Sequence, residues 1–89
     1  MYTFKEYYID SNSVGAQTVY LPNGAEVVNA RTGVGCAILD VLIDPNETLT
    51  NLRTFRSCSV DENIYNGTVK YINYVTNDFG AVRFIVEII

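Results

Sequence analysis

The chain reads as an all-β domain, a small antiparallel sandwich or partly open barrel of about seven short strands. Three observations lead there. Turn signals rich in Gly, Pro, Asn and Asp recur along its whole length, among them Pro22-Asn23-Gly24, Asp44-Pro45-Asn46 and Asn77-Asp78-Phe79-Gly80. The segments between them are short and rich in Val, Ile, Tyr, Phe and Thr, residues that fit a pleated surface. No stretch carries a capped apolar stripe at the helical period of 3.6 residues.

The expected strands are Thr3 to Ile9, Ala16 to Leu21, Glu26 to Ala30, Cys36 to Ile43, Leu52 to Ser59, Thr68 to Val75 and Ala81 to Ile88. The first opens on aromatics and stops at Asp10-Ser11-Asn12-Ser13. The second ends at Pro22-Asn23-Gly24 and the third at Arg31-Thr32-Gly33-Val34-Gly35, read as a hairpin loop because no phosphate-loop signature or helix follows. The fourth, Ala37-Ile38-Leu39-Asp40-Val41-Leu42-Ile43, is nearly continuous in apolar residues, as a strand covered on both faces would be. In the last, Val82, Phe84, Val86 and Ile88 alternate with a row that holds Arg83 and Glu87, so the even row is expected on the core and the odd row in water. Connections are expected to be hairpins, with one short helical turn near Asp61 to Tyr65 capped by Ser59 or Asp61.

Eighty-nine residues make one domain, 1–89, with one modest core. No apolar run approaches the roughly 18 to 20 residues that span a bilayer, and no secretory signal is visible, so the expected place is the cytoplasm. Cys36 and Cys58 then read as small buried hydrophobes.

The absence of histidine removes the usual general bases, the Ser-His and Cys-His nucleophiles and the common zinc sites. Asp40 with Asp44, and Asp61 with Glu62, lack the spacing of a calcium loop. No catalytic residue, metal or cofactor is therefore expected. The formal charge of −4 argues against a general nucleic-acid binder but leaves room for a small anionic ligand.

Arg53-Thr54-Phe55-Arg56 concentrates two of the six basic residues beside an aromatic within one strand. Arg53 and Phe55 would share one face, Thr54 and Arg56 the other. A phosphate gripped by Arg53 and Arg56, with Arg31 reaching from its loop and Phe55, Tyr71 or Tyr74 stacked on a base, is one reading of these residues. A sheet face kept soluble by its arginines is the other.

Gln17-Thr18-Val19-Tyr20-Leu21-Pro22-Asn23-Gly24-Ala25, Leu42-Ile43-Asp44-Pro45, Arg53-Thr54-Phe55-Arg56, Tyr65-Asn66-Gly67-Thr68 and Val82-Arg83-Phe84-Ile85-Val86-Glu87, in this order, resemble a functionally unassigned family of short phage and prophage proteins. That family tends to carry Gly-Thr-Gly-His where this chain has Ser57-Cys58-Ser59-Val60-Asp61, and Val-Phe-His-Val-Phe-Glu near its end where this chain has Val82-Arg83-Phe84-Ile85-Val86-Glu87. No histidine role carries over. The resemblance implies a phage origin and a small β fold. Together with the arginine and aromatic residues above, it leads to the expectation of a phage-encoded, non-enzymatic binding protein in the host cytoplasm that antagonises bacterial immunity by sequestering a nucleotide-type signal. Exposed edges of Tyr-rich strands, which invite pairing, add the expectation of a homo-oligomer. The alternatives are an acidic inhibitor of a host defence complex such as a CRISPR nuclease, and a virion or replication accessory protein.

Overall fold

Two antiparallel sheets face one another in a computed structural model that describes residues 1–64 and 67–89. The strands are β1 (Thr3–Ile9), β2 (Gln17–Pro22), β3 (Glu26–Thr32), β4 (Ala37–Ile43), β5 (Thr50–Cys58), β6 (Val69–Thr76) and β7 (Val82–Ile88). One sheet has the order β1-β4-β3 and the other β2-β5-β7-β6. All seven expected strands are present, with ends displaced by a residue or two, and they form an open sandwich and not a closed barrel.

Small and branched residues fill the gap between the sheets. Ala37, Leu39, Val41 and Ile43 alternate inward along β4 and meet Leu21, Phe55, Ile85 and Val75 from the facing sheet. The three-stranded sheet adds Ile9, Val27 and Ala30. The outward row of β4 (Ile38, Asp40, Leu42) is only half-buried, so this strand is covered on one face and not on both.

Within a single sheet, only β3–β4 and β6–β7 are joined as hairpins. At Pro22-Asn23-Gly24-Ala25 the expected turn is present, with Ala25 N donating to Pro22 O and Gly24 at a φ of 77°. It carries the chain into the opposite sheet, because β2 already pairs with β5. β5 and β6 are parallel, with β7 between them, so β5 ends beside Phe84 and β6 begins beside Ile88, at opposite ends of β7. The connection 59–68 begins with a tight turn in which Glu62 N donates to Ser59 O and Asp61 adopts a left-handed φ of 65°. Asp61 to Ile64 form no helix where a short helical turn is expected, because the chain leaves the tight turn at Ser59–Glu62 without continuing it. Tyr65, the last residue of that expectation, and Asn66 of the Tyr65-Asn66-Gly67-Thr68 segment lie outside the described residues.

β7 reverses the expected orientation. Its register with β5 (Phe55↔Glu87, Ser57↔Ile85) places Arg83, Ile85 and Glu87 on the interior face, buried, while Val82, Phe84, Val86 and Ile88 point outward. An odd row with an apolar residue between two charges is tolerated inside because both charges find partners there. Arg83 donates from Nε to Ser57 Oγ and from Nη2 to Ser57 O and Ser13 O. Glu87 is held by Arg53.

Phe55 is the largest side chain with no exposed surface. Phe55→Ala is expected to cost about 3–5 kcal/mol, and Phe79→Ala, at a ring 85% exposed, no more than about 0.5 kcal/mol. Urea unfolding followed by circular dichroism, suited to a chain without tryptophan, measures both.

Candidate functional site

The six residues singled out in the sequence fall in three separate places. Arg53 and Phe55 do share one face of β5, but it is the interior face. Phe55 has no surface to offer a base. Arg53 donates from Nε and Nη2 to the two carboxylate oxygens of Glu87 at 2.5 and 2.7 Å, and from Nη1 to Ala25 O in the turn that leads into β3. It forms one wall of an open cleft of about 610 Å³ at the end of the sandwich, lined also by Ala25, Leu52, Thr54, Glu87 and Ile88.

Arg31 lies on the outer face of the three-stranded sheet. Its guanidinium takes Asp40 in a two-pronged contact at 2.8 and 2.9 Å and reaches Glu6 at 2.6 Å. It is thus separated from Arg56 by both sheets. No single small ligand can touch both. Sequence alternation cannot show this, because it assigns faces within a strand and not strands to sheets.

Arg56, Tyr71 and Tyr74 do come together, on the outer face of the four-stranded sheet. Arg56, Val86 and Tyr71 form one cross-strand row, and Cys58, Phe84 and Tyr74 the next. Tyr71 and Phe84 rings stand 6.4 Å apart at 51°. Further along the same face, Tyr20 lies beside Leu52, and Ile88 lies between Thr54 and Val69. Tyr20, Leu52, Tyr71 and Tyr74 are all exposed. Arg56 is not a free cation, since its Nη2 donates to Glu62 at 2.8 Å while its buried Nε has no partner. Glu62 thereby brings the start of the 59–68 connection over β5.

The carboxylates around these arginines are tuned by them. Hydrogen bonds from Arg31 hold the Asp40 carboxyl below the ordinary aspartate range against its own partial burial. Burial alone would raise Glu62, but Ser59 donates to it from backbone and hydroxyl, and with Arg56 these bonds bring it below the usual value. The Tyr8 hydroxyl, which donates to Glu6, is pushed up by that bond and by the negative charge. Burial raises the Cys58 thiol, which keeps it protonated and unreactive. Both cysteines are free, Cys58 buried as expected and Cys36 only half-buried. Among the described residues no group of three metal-ligating side chains is gathered, and no helix is long and apolar enough to cross a membrane.

What remains accessible is negative. Three arginines are bound to carboxylates and Arg83 is buried, leaving Lys5 and Lys70 as the exposed cations without a carboxylate partner among the described residues. Asp10, Glu26, Asp44, Glu47, Asp61 and Asp78 form no ion pair among the described residues. Glu26 is aligned with Leu42, two residues before Asp44, so Glu26, Asp44 and Glu47 gather at one end of the sandwich. The partners Glu87 and Asp40 escape sequence reasoning because their pairing depends on strand register, and Glu62 because it depends on the turn that follows β5. The outward apolar row of β7 was visible as an alternation, but not its direction. No family model, curated protein or solved structure matches this chain.

Two outcomes follow from the ion pairs. Arg53→Ala strands the buried Glu87 carboxylate and is expected to lower stability by about 3–5 kcal/mol, while Arg53→Met with Glu87→Leu recovers most of it, as chemical denaturation will show. Asp40 has a folded pKa below its unfolded value, so its contribution is complete above the ordinary 3.8 and is lost as pH falls through the folded value. Unfolding free energy measured against pH should therefore decline in acid, and less steeply in Asp40→Asn.

Proposed function

We propose that this chain is a non-enzymatic binding protein that occupies a basic surface on a partner protein. In the phage setting implied by the resemblance, it works in the host cytoplasm and the partner is a defence complex such as a CRISPR nuclease. The observation that carries this reading is the internal capture of the arginines. With Arg31, Arg53 and Arg56 bound to carboxylates and Arg83 enclosed, no arginine is left free to offset the unpaired Asp10, Glu26, Asp44, Glu47, Asp61 and Asp78, which face only Lys5 and Lys70. Exposed Tyr20, Tyr71 and Tyr74 on the outer face of the four-stranded sheet supply apolar contact, of the kind enriched at protein interfaces. Complementary charge speeds the encounter with a nucleic-acid groove and competes with its proper occupant.

Sequestration of a nucleotide-type signal is the second reading, and the shared face of Arg56, Tyr71 and Tyr74 favours it. A phosphate there has to displace Glu62 from Arg56, and it gains no help from Arg31, Arg53 or Phe55. The inhibitor reading requires no such rearrangement.

Co-purification from defence-carrying cells tests the proposal. The expected result is a protein partner retained at low salt, released by heparin, and bound about tenfold more weakly by the Glu26→Lys, Asp44→Lys, Glu47→Lys variant. Retention that ignores salt and these reversals overturns it. A rise in melting temperature with micromolar cyclic or linear nucleotides, abolished by Arg56→Ala, transfers the assignment to signal binding.

A further inference from the structure

The two long sides of the sandwich differ. On one side β3 and β6 are each interrupted by a bulge, at Val28 and Ile72, and are laced together. Asn73 Nδ2 donates to Asn29 Oδ1 and to Ala30 O, and Thr76 N donates to Thr32 Oγ1. Those edges offer no template to another strand. On the other side, β2 is the shortest strand and ends at Pro22, which has no N–H. Its neighbour β1 has neither bulge nor proline nor glycine, and its register with β4 runs unbroken from Thr3↔Ile43 to Ile9↔Ala37. The Gln17 side chain occupies the free backbone of Asp10, donating to its O and accepting from its N at 2.7 Å, and so closes the edge only beyond Ile9. Along β1 itself, alternate residues aim their N–H and C=O groups away from β4. The strand also exposes Phe4 and Tyr8 on its outer face.

We propose that a second copy of this chain pairs with β1, antiparallel and about a two-fold axis through Glu6, to join two three-stranded sheets into one of six strands. A two-fold axis normal to the sheet keeps each face of β1 continuous with the same face of its copy, which restricts the centre to a residue position. Centring on Lys5 opposes two ammonium groups. Centring on Tyr7 sets Lys5 against the buried Ile9. Centring on Glu6 sets Phe4 against Tyr8 on the outer face and Lys5 against Tyr7 on the inner. Both are favourable cross-strand pairs, and Lys5 already lies 5.6 Å from the centroid of its own Tyr7 ring. The two Glu6 carboxylates that then face each other are each held by an Arg31 guanidinium. The acidic cluster at Glu26, Asp44 and Glu47 lies off this edge, so the dimer presents it twice and does not depend on the partner proposed above.

Sedimentation velocity from about 1 to about 300 µM is the test. The wild-type chain should reach twice the monomer mass within that range. Phe4→Lys with Tyr8→Lys, both at exposed positions, should remain monomeric with an unchanged circular dichroism spectrum, while Thr18→Lys with Tyr20→Lys on β2 should dimerise as the wild type does. Glu6→Gln, which relieves the only like-charge pair, should tighten the dimer by about twofold to fivefold. A chain monomeric throughout, a dimer indifferent to the β1 lysines or broken by those on β2, or one loosened by Glu6→Gln overturns the proposal.

Discussion

A charged side chain inside a sandwich core is tolerated only when its hydrogen bonds are complete, and β7 places two there. Glu87 and Arg83 stand on the interior face of this central strand, one near each end. Arg53 reaches Glu87 with two parallel hydrogen bonds and the carbonyl of Ala25 with another, so one guanidinium joins β5, β7 and the turn between β2 and β3. At the other end Arg83 is enclosed by Ser57 and Ser13, and the Ser57 hydroxyl in turn donates to Ser11 O. These two polar anchors set the register of β5 on β7. A slip of one residue would turn both charges outward and the exterior apolar row inward.

The outer surfaces follow from that choice. With the odd row of β7 committed to the interior, Phe84, Val86 and Ile88 are left on the exterior, where Tyr71, Tyr74, Tyr20 and Leu52 extend an aromatic face. The opposite exterior is organised around the Glu6, Asp40 and Arg31 cluster, with Phe4, Tyr8, Ile38 and Leu42 on the same face. Arginine serves here as an internal fastener, which a planar five-donor group does better than lysine. The consequence is electrostatic. With the guanidinium groups paired or enclosed, the unpaired carboxylates of the loops and of Glu26, set against Lys5 and Lys70, define how the molecule looks from a distance.

Much of the fold was legible because β-branched and aromatic composition, turn residues and alternation all act locally. Each of the seven strands could be placed within a residue or two from Asp, Asn, Gly and Pro punctuation. The sign of the β7 alternation was not legible. Arg83 and Glu87 on one row ordinarily mark the wet face, and only the partners Arg53 and Ser57, 34 and 26 residues away, make that row an interior one. The arginine-aromatic cluster of β5 was similarly misleading. Arg53 and Phe55 share a face as alternation requires, but which face meets the other sheet depends on chain segments distant in sequence.

The amino-acid sequence by itself determined the all-β class, the strand boundaries, the exclusion of histidine chemistry and an acidic balance, because these follow from residue types and nearest neighbours. The tertiary structure decided which sheet each strand joins, which charges are enclosed, and that Arg31, Arg53 and Arg56 act apart. Pairing between strands dozens of residues apart is a property of the assembled sandwich, in which burial of one row compels exposure of the other.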